Sequence, residues 1–179
     1  MVYQDPYRSF GSTVSLLQKY SELASHVRRL WFSGIYQFHH VSKIFELTRS
    51  CNNLVSLSLP WSSLRYGTVE DWIYVTNNLR ITSLEFLGED VKQSHIRADV
   101  DSTVNHKALR DFRVDFSKLR RLKIHGSSNM QSIVDADLWE IARTAINLEE
   151  IHITGSSSVT VEGMCIFTRN VRIRSLLAL

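Results

Sequence analysis

The stretch Leu119-Arg120-Arg121-Leu122-Lys123-Ile124-His125-Gly126 reads apolar-x-x-apolar-x-apolar and leaves the pattern at a glycine. The same arrangement lies upstream at Val27/Leu30/Phe32, Leu54/Leu57/Leu59 and Ile81/Leu84/Phe86. It returns downstream at Leu148/Ile151/Ile153 and Ile173/Leu176/Ala178. Successive copies are 27, 27, 38, 29 and 25 residues apart. A recurrence in the twenties makes each copy one strand-and-helix unit that cannot bury its own apolar side. Such units must stack on their neighbours.

The segments between the copies carry a second periodicity. Gly34, Gly88, Gly126 and Gly155 each stand two residues after the last apolar strand position, where the chain must turn away from the strand. Glycine tolerates the positive φ that such a corner often needs. Thirteen residues ahead of the next first apolar position lie Thr68, Asp135 and Thr160, with Ser12 and Thr13 at nearly the same offset in the first unit. Their side-chain oxygens suit helix N-caps. Nine residues ahead lie Phe45, Trp72, Trp139 and Met164, one large apolar anchor per helix. The expected helices are 13–25, 41–50, 69–77, 136–145 and 161–169. The fold class that follows is α/β, a leucine-rich-repeat solenoid of about six repeats, with parallel strands on the concave face and helices on the convex face.

In this reading residues 1–12 form an N-terminal extension and 13–179 the repeat domain. The 38-residue interval holds a polar insertion at about 90–108. Insertions in solenoids fall in loops on one face, where they either carry binding determinants or are tolerated as plain loop. The last motif runs to Leu179 with no polar cap. The chain is therefore expected to belong to a longer protein, to be truncated, or to be closed by another molecule.

Composition excludes several classes. Lysine and arginine (21) nearly balance aspartate and glutamate (18), for a formal charge of +3. No run of like charge calls for a nucleic acid or a membrane surface. No stretch approaches the roughly 20 apolar residues that cross a bilayer, and no leader-like segment opens the chain. Cys51 and Cys165 fall in distant repeats, too far apart to bridge, and are expected to be buried thiols. That suits a reducing cytoplasmic or nuclear location. There is no Gly-x-Ser-x-Gly, phosphate loop, His-Glu-x-x-His or dinucleotide fingerprint, so the chain is not expected to be an enzyme and calls for no cofactor. Gly126-Ser127-Ser128 and Gly155-Ser156-Ser157-Ser158 look like anion nests, but both recur at the turn after a strand, which accounts for them structurally. His125 with His152, and the vicinal His39-His40, lack the third ligand a zinc site needs.

Cys51-Asn52-Asn53-Leu54-Val55-Ser56-Leu57-Ser58-Leu59 resembles the cysteine-containing class of leucine-rich repeats, in the ribonuclease-inhibitor-like manner. Residues 139–155, Trp139 to Gly155, are similar, with alanine at the cysteine position, and Ser158-Val159-Thr160-Val161-Glu162-Gly163-Met164 matches that class's turn into the next helix. Over residues 13–179 the combination is most similar to the repeat region of fungal F-box leucine-rich-repeat proteins. In that family an F-box docks on a cullin–RING ubiquitin ligase (an SCF complex) through its adaptor, and the repeats select the protein to be modified. Residues 1–12 are too few to hold an F-box, so the resemblance implies the substrate-recognition repeats without it. The alternative is a free-standing scaffold or regulatory repeat protein with no ubiquitin role.

Alternation assigns the partner-facing side chains. With Leu122 and Ile124 inward, Arg121, Lys123 and His125 face out onto the concave sheet. The same phase turns out Arg29, Trp31 and Ser33, then Ser56, Ser58 and Pro60, then Ser83, Glu85 and Leu87. It continues with Glu150, His152 and Thr154, and with Ser175 and Leu177. The expected partner-binding residues are Arg29, Trp31, Glu85, Arg121, Lys123, His125, Glu150 and His152. Trp31 beside Arg29 has the residue types of an interface hot spot, unless Trp31 packs under Tyr3, Tyr7 and Phe10. The face is basic at Arg121/Lys123 and acidic at Glu85 and Glu150, a mixture that suits a protein partner better than a polyanion. The serine patch Ser56/Ser58/Ser83 suits a solvated face. Cys51 is expected to stack in the core as a small apolar residue.

Overall fold

The computed structural model describes residues 6–32, 41–60, 63, 67–77, 80–87, 115–125, 134–155, 159–170 and 174–178. Along the chain these form α1 (Pro6–Lys19), α2 (Ser21–His26), β1 (Arg29–Trp31), α3 (Val41–Ser50), β2 (Ser56–Pro60) and α4 (Val69–Asn77). There follow β3 (Ser83–Leu87), β4 (Arg121–His125), α5 (Asp135–Thr144), β5 (Glu150–Thr154), α6 (Val161–Asn170) and β6 (Ser175–Ala178). All six strands join one parallel sheet in the order β1-β2-β3-β4-β5-β6. The protein is α/β with a single parallel sheet.

The sequence spacing is also the pairing register. Leu57 lies opposite Leu84, Leu84 opposite Leu122, Leu122 opposite Ile151, and Ile151 opposite Leu176. A backbone bond pattern marks each junction. The Arg28 carbonyl accepts from the amides of Val55 and Ser56, and the Val55 carbonyl from Thr82 and Ser83. The Thr82 carbonyl does the same for Arg120 and Arg121, that of Arg120 for Glu149 and Glu150, and that of Glu149 for Arg174 and Ser175. Five identical junctions need five identical local conformations. Side chains repeat too: Asn53 Nδ2 donates to the Ser25 carbonyl at 2.9 Å, and Asn147 Nδ2 to that of Ser117 at 2.7 Å. Each asparagine stands one residue before a first apolar position and ties its unit to the one before.

The core lies between the sheet and the helices. Leu57, Leu59, Leu84, Phe86, Leu122, Ile124, Ile151 and Ile153 are buried, as are Leu54, Ile81, Leu119 and Leu148 ahead of them. Each buried side chain of this kind contributes roughly 1.5–3 kcal/mol by leaving water. From the helices come Phe45, Trp72, Leu138 and Phe167. The Trp72 ring meets Phe45 edge-on at 5.4 Å and Phe86 at 6.0 Å, linking two helices to the sheet. Cys51 is buried, and burial pushes its thiol pKa up.

The helices over 41–50 and 69–77 fall where spacing put them. Four other expectations need correction. The first helix begins at Pro6, ahead of 13, with proline in the first turn where its missing N–H costs nothing. It does not run on to 25, because Tyr20 leaves the helical region at φ −118° and ψ 78° and α2 starts afresh. Trp139 is not a core anchor: it is 49% exposed, and Leu138, fully buried, takes the place equivalent to Trp72. Helix α5 is capped at Val134, so counting back from the strand lands one residue late and rotates the tryptophan off the core by about 100°. Cys165 is exposed rather than buried.

Asp135 is the remaining correction, and it shows how the caps work. Thr68 caps α4 through its Oγ1 and the Asp71 amide at 3.2 Å, while Asp71 returns a carboxylate oxygen to the Thr68 amide at 2.9 Å. In α5 the buried Asp137 carboxylate accepts from the Val134 amide at 3.0 Å. The equivalent place in α6 is Gly163, whose amide bonds Thr160 Oγ1 at 3.0 Å. There the carboxylate comes from the previous helix: Asp135 accepts from the Thr160 amide at 2.8 Å and its hydroxyl at 2.6 Å. A methyl group on Gly163 would fall on that carboxylate. Asp135 therefore caps the next helix, not its own.

Gly155 has φ 67°, as the corner role requires. The corners at Gly34, Gly88 and Gly126, the insertion at 90–108, Ser33, His39, His40 and Ile173 lie outside the described residues. Strands β3 and β4 keep their register on either side of that insertion.

Candidate functional site

The register gathers the expected partner-facing residues into rows that cross the strands. One row is Arg29, Ser56, Ser83, Arg121, Glu150 and Ser175; the next is Trp31, Ser58, Glu85, Lys123, His152 and Leu177. Neighbouring members stand about 4.8 Å apart, the spacing of hydrogen-bonded strands. A third row brings His125 beside Thr154.

Trp31 is 68% exposed, so its indole is a surface feature; Tyr3 and the side chains of Tyr7 and Phe10 lie outside the described residues. Arg29 beside it is exposed as well. Five expected site residues join two clusters. His125 Nε2 lies 3.1 Å from a Glu85 carboxylate oxygen and Nδ1 3.0 Å from Thr154 Oγ1, while Ser58 Oγ donates to the other Glu85 oxygen. Glu150 lies between Arg121, whose Nε is 3.5 Å away, and His152, whose Nε2 is 3.1 Å away. These contacts are solvent-accessible and contribute about 0–1 kcal/mol each; what they fix is the direction of the carboxylates. Lys123 is half-buried between Glu85 and His152 in its row, and its ammonium makes no hydrogen bond or ion pair among the described residues. Arg29 lies three strands from Arg121, while Trp31 stands opposite Ser58, at the edge of the Glu85 cluster.

Two outward positions behave otherwise than alternation predicts. Ser58 and Pro60 are buried, and Ser58 spends its hydroxyl on Glu85. The polar serine patch is thus reduced to Ser56 and Ser83. Sequence reading also missed a charged line immediately before the strands, where Arg28, Arg120, Glu149 and Arg174 supply the carbonyls or amides of the repeated junction. Arg120 and Glu149 pair at 3.0 Å alongside Arg121 and Glu150. The available signal was the arginine or glutamate doublet at the same motif offset in three copies.

The chemistry this arrangement offers is recognition of charged and aromatic groups. Among the described residues no group of three or more His, Cys, Asp or Glu side chains converges as a metal site. None of the described helices is long and apolar enough to cross a membrane. No family model and no curated protein matches the chain.

Proposed function

We propose that the chain is a leucine-rich-repeat solenoid that recognises a protein through the open face of its sheet, without catalysis. The observation that carries this reading is the six-strand parallel sheet whose exposed rows set Trp31 and Arg29 at one side and Arg121, Lys123, Glu150 and His152 at the other. A pre-formed surface with an exposed tryptophan, a lysine whose ammonium has no partner among the described residues, and oriented carboxylates fits a protein's mixed charges. Its biological setting, in this proposal, is substrate selection for an F-box type ubiquitin ligase in the cytoplasm or nucleus, with SCF components joining the full-length product. This rests on the resemblance of residues 51–59 and 139–164 to that family's repeats.

Affinity capture with the native chain beside the variant Trp31→Ala/Arg121→Ala/Lys123→Ala tests the binding face. The variant loses the partner while keeping its fold; equal recovery by both defeats the reading. Co-purification of a cullin adaptor with the full-length product separates the ligase setting from a free-standing repeat scaffold, which would retain the partner without the adaptor.

A further inference from the structure

At the N-terminal ends of the strands the two residues that open each unit make a charge pattern along the sheet. The charged ones are Arg28-Arg29 at β1, Arg120-Arg121 at β4, Glu149-Glu150 at β5 and Arg174 at β6. Between the two arginine pairs, β2 and β3 offer only Val55, Ser56, Thr82 and Ser83, so nothing charged stands in those two rows for about 14 Å. The second arginine pair is spoken for: Arg120 meets Glu149 at 3.0 Å and Arg121 meets Glu150 at 3.5 Å. The first is not. Among the described residues the Arg28 guanidinium reaches only the Asn53 carbonyl, at 3.4 Å, and the Arg29 side chain bonds none. Both are exposed, and Trp31 stands on the same side of the strand as Arg29, two residues on.

We infer that Arg28, Arg29 and Trp31 form the anchoring end of a docking track for an acidic, extended protein segment that crosses the strands over Ser56 and Ser83 towards Arg121. The inference rests on the protein-recognition reading above and names the chemistry of the partner. Guanidinium groups pair carboxylates two-pronged, which favours aspartate or glutamate side chains at β1. The exposed indole takes an apolar or aromatic side chain next to them. The uncharged ends of β2 and β3, Val55-Ser56 and Thr82-Ser83, leave the middle of the segment free to be neutral, and Glu85 further along β3 is engaged by His125 and Ser58. A nucleic acid fits less well. Its evenly spaced phosphates would run onto Glu149 and Glu150, whereas a peptide varies its charge from residue to residue. About eight extended residues cover the roughly 24 Å from β1 to β6.

The test is titration of the folded chain with a synthetic peptide of about ten residues, with two glutamates and a phenylalanine near one end and serines over the rest. The expected result is binding that quenches or shifts tryptophan emission, weakens as salt rises, and falls about tenfold or more in Arg28→Ser/Arg29→Ser. The Trp31→Phe variant should bind but lose most of the emission change. Several results would overturn the inference: equal binding of the peptide with glutamine for glutamate, no effect of the arginine substitutions, or tighter binding of oligothymidylate than of the acidic peptide. Self-association that the same substitutions abolish would place a second copy on the track and overturn it equally. If Arg28→Ser/Arg29→Ser captures every partner that the native chain does, while Trp31→Ala/Arg121→Ala/Lys123→Ala loses them, the acidic track fails and the recognition face stands.

Discussion

Leu138 and Trp139 are adjacent and live in opposite environments, which makes them a sharp test of packing against composition. The larger side chain is the exposed one. Leu138→Ala should cost about 2–5 kcal/mol in urea unfolding, because it opens a cavity against a rigid sheet. Trp139→Lys should stay within about 0.5 kcal/mol of the native chain. Near-equal losses would mean that α5 is rotated from the orientation described. The thiols divide in the same way. Cys51 is buried with its pKa raised by desolvation, so little of it is thiolate near neutral pH; Cys165 is exposed. Iodoacetamide should modify Cys165 in the folded protein and Cys51 only on unfolding, as a peptide map would show. Sequence spacing recovered Cys51 but not Cys165 or Trp139. For Trp139 the period fixes the helix only to within a residue, and one residue turns a side chain through about 100°; Cys165 lies in a helix in the expected phase, but two residues and about 200° from the buried Phe167.

At the level of the element, α4, α5 and α6 are each held by a carboxylate at the amide of the cap residue, yet the carboxylate is not always local. Asp71 and Asp137 serve their own helices; Asp135 serves α6, and Gly163 leaves it room. Gly163→Ala should therefore destabilise by about 1–3 kcal/mol, from displacement of Asp135 and not from any loss of glycine's own flexibility. In an Asp135→Ala background the same change should cost much less, the two sites being in contact. Additive losses in that cycle would contradict the shared cap. Helix-cap contacts of this kind were only half legible. The N-caps Thr68 and Thr160 follow from residue type and offset, whereas a cap supplied by the neighbouring unit leaves no mark within one unit's sequence.

For the molecule as a whole, the strands were readable because one force selects them all: each unit's apolar strand face has nowhere to go but beside the next. The parallel order, the register and the buried set at Leu57, Leu84, Leu122 and Ile151 follow from that alone. The surface was less legible. Alternation names which side chains point away from the core, but whether they are open, paired or covered depends on neighbours a unit away. Thus Ser58 is buried against Glu85, while Trp31 is bare. Ion pairs such as Arg120–Glu149 depend on which units adjoin, and a doublet read alone does not disclose its partner. The repeated junction also predicts how damage spreads. Leu122→Ala, at a central strand, should cost about 2–5 kcal/mol and loosen the units on both sides, seen as faster amide exchange in β3 and β5.

The most direct measurement is the set of nuclear Overhauser effects between backbone protons of neighbouring strands. The sheet described here requires contacts linking Leu57 with Leu84, Leu84 with Leu122, and Leu122 with Ile151, all in parallel register. Contacts in antiparallel register, or between strands that are not consecutive in the chain, would contradict it, and the rows that bring Arg29, Trp31, Lys123 and His152 onto one face would go with it.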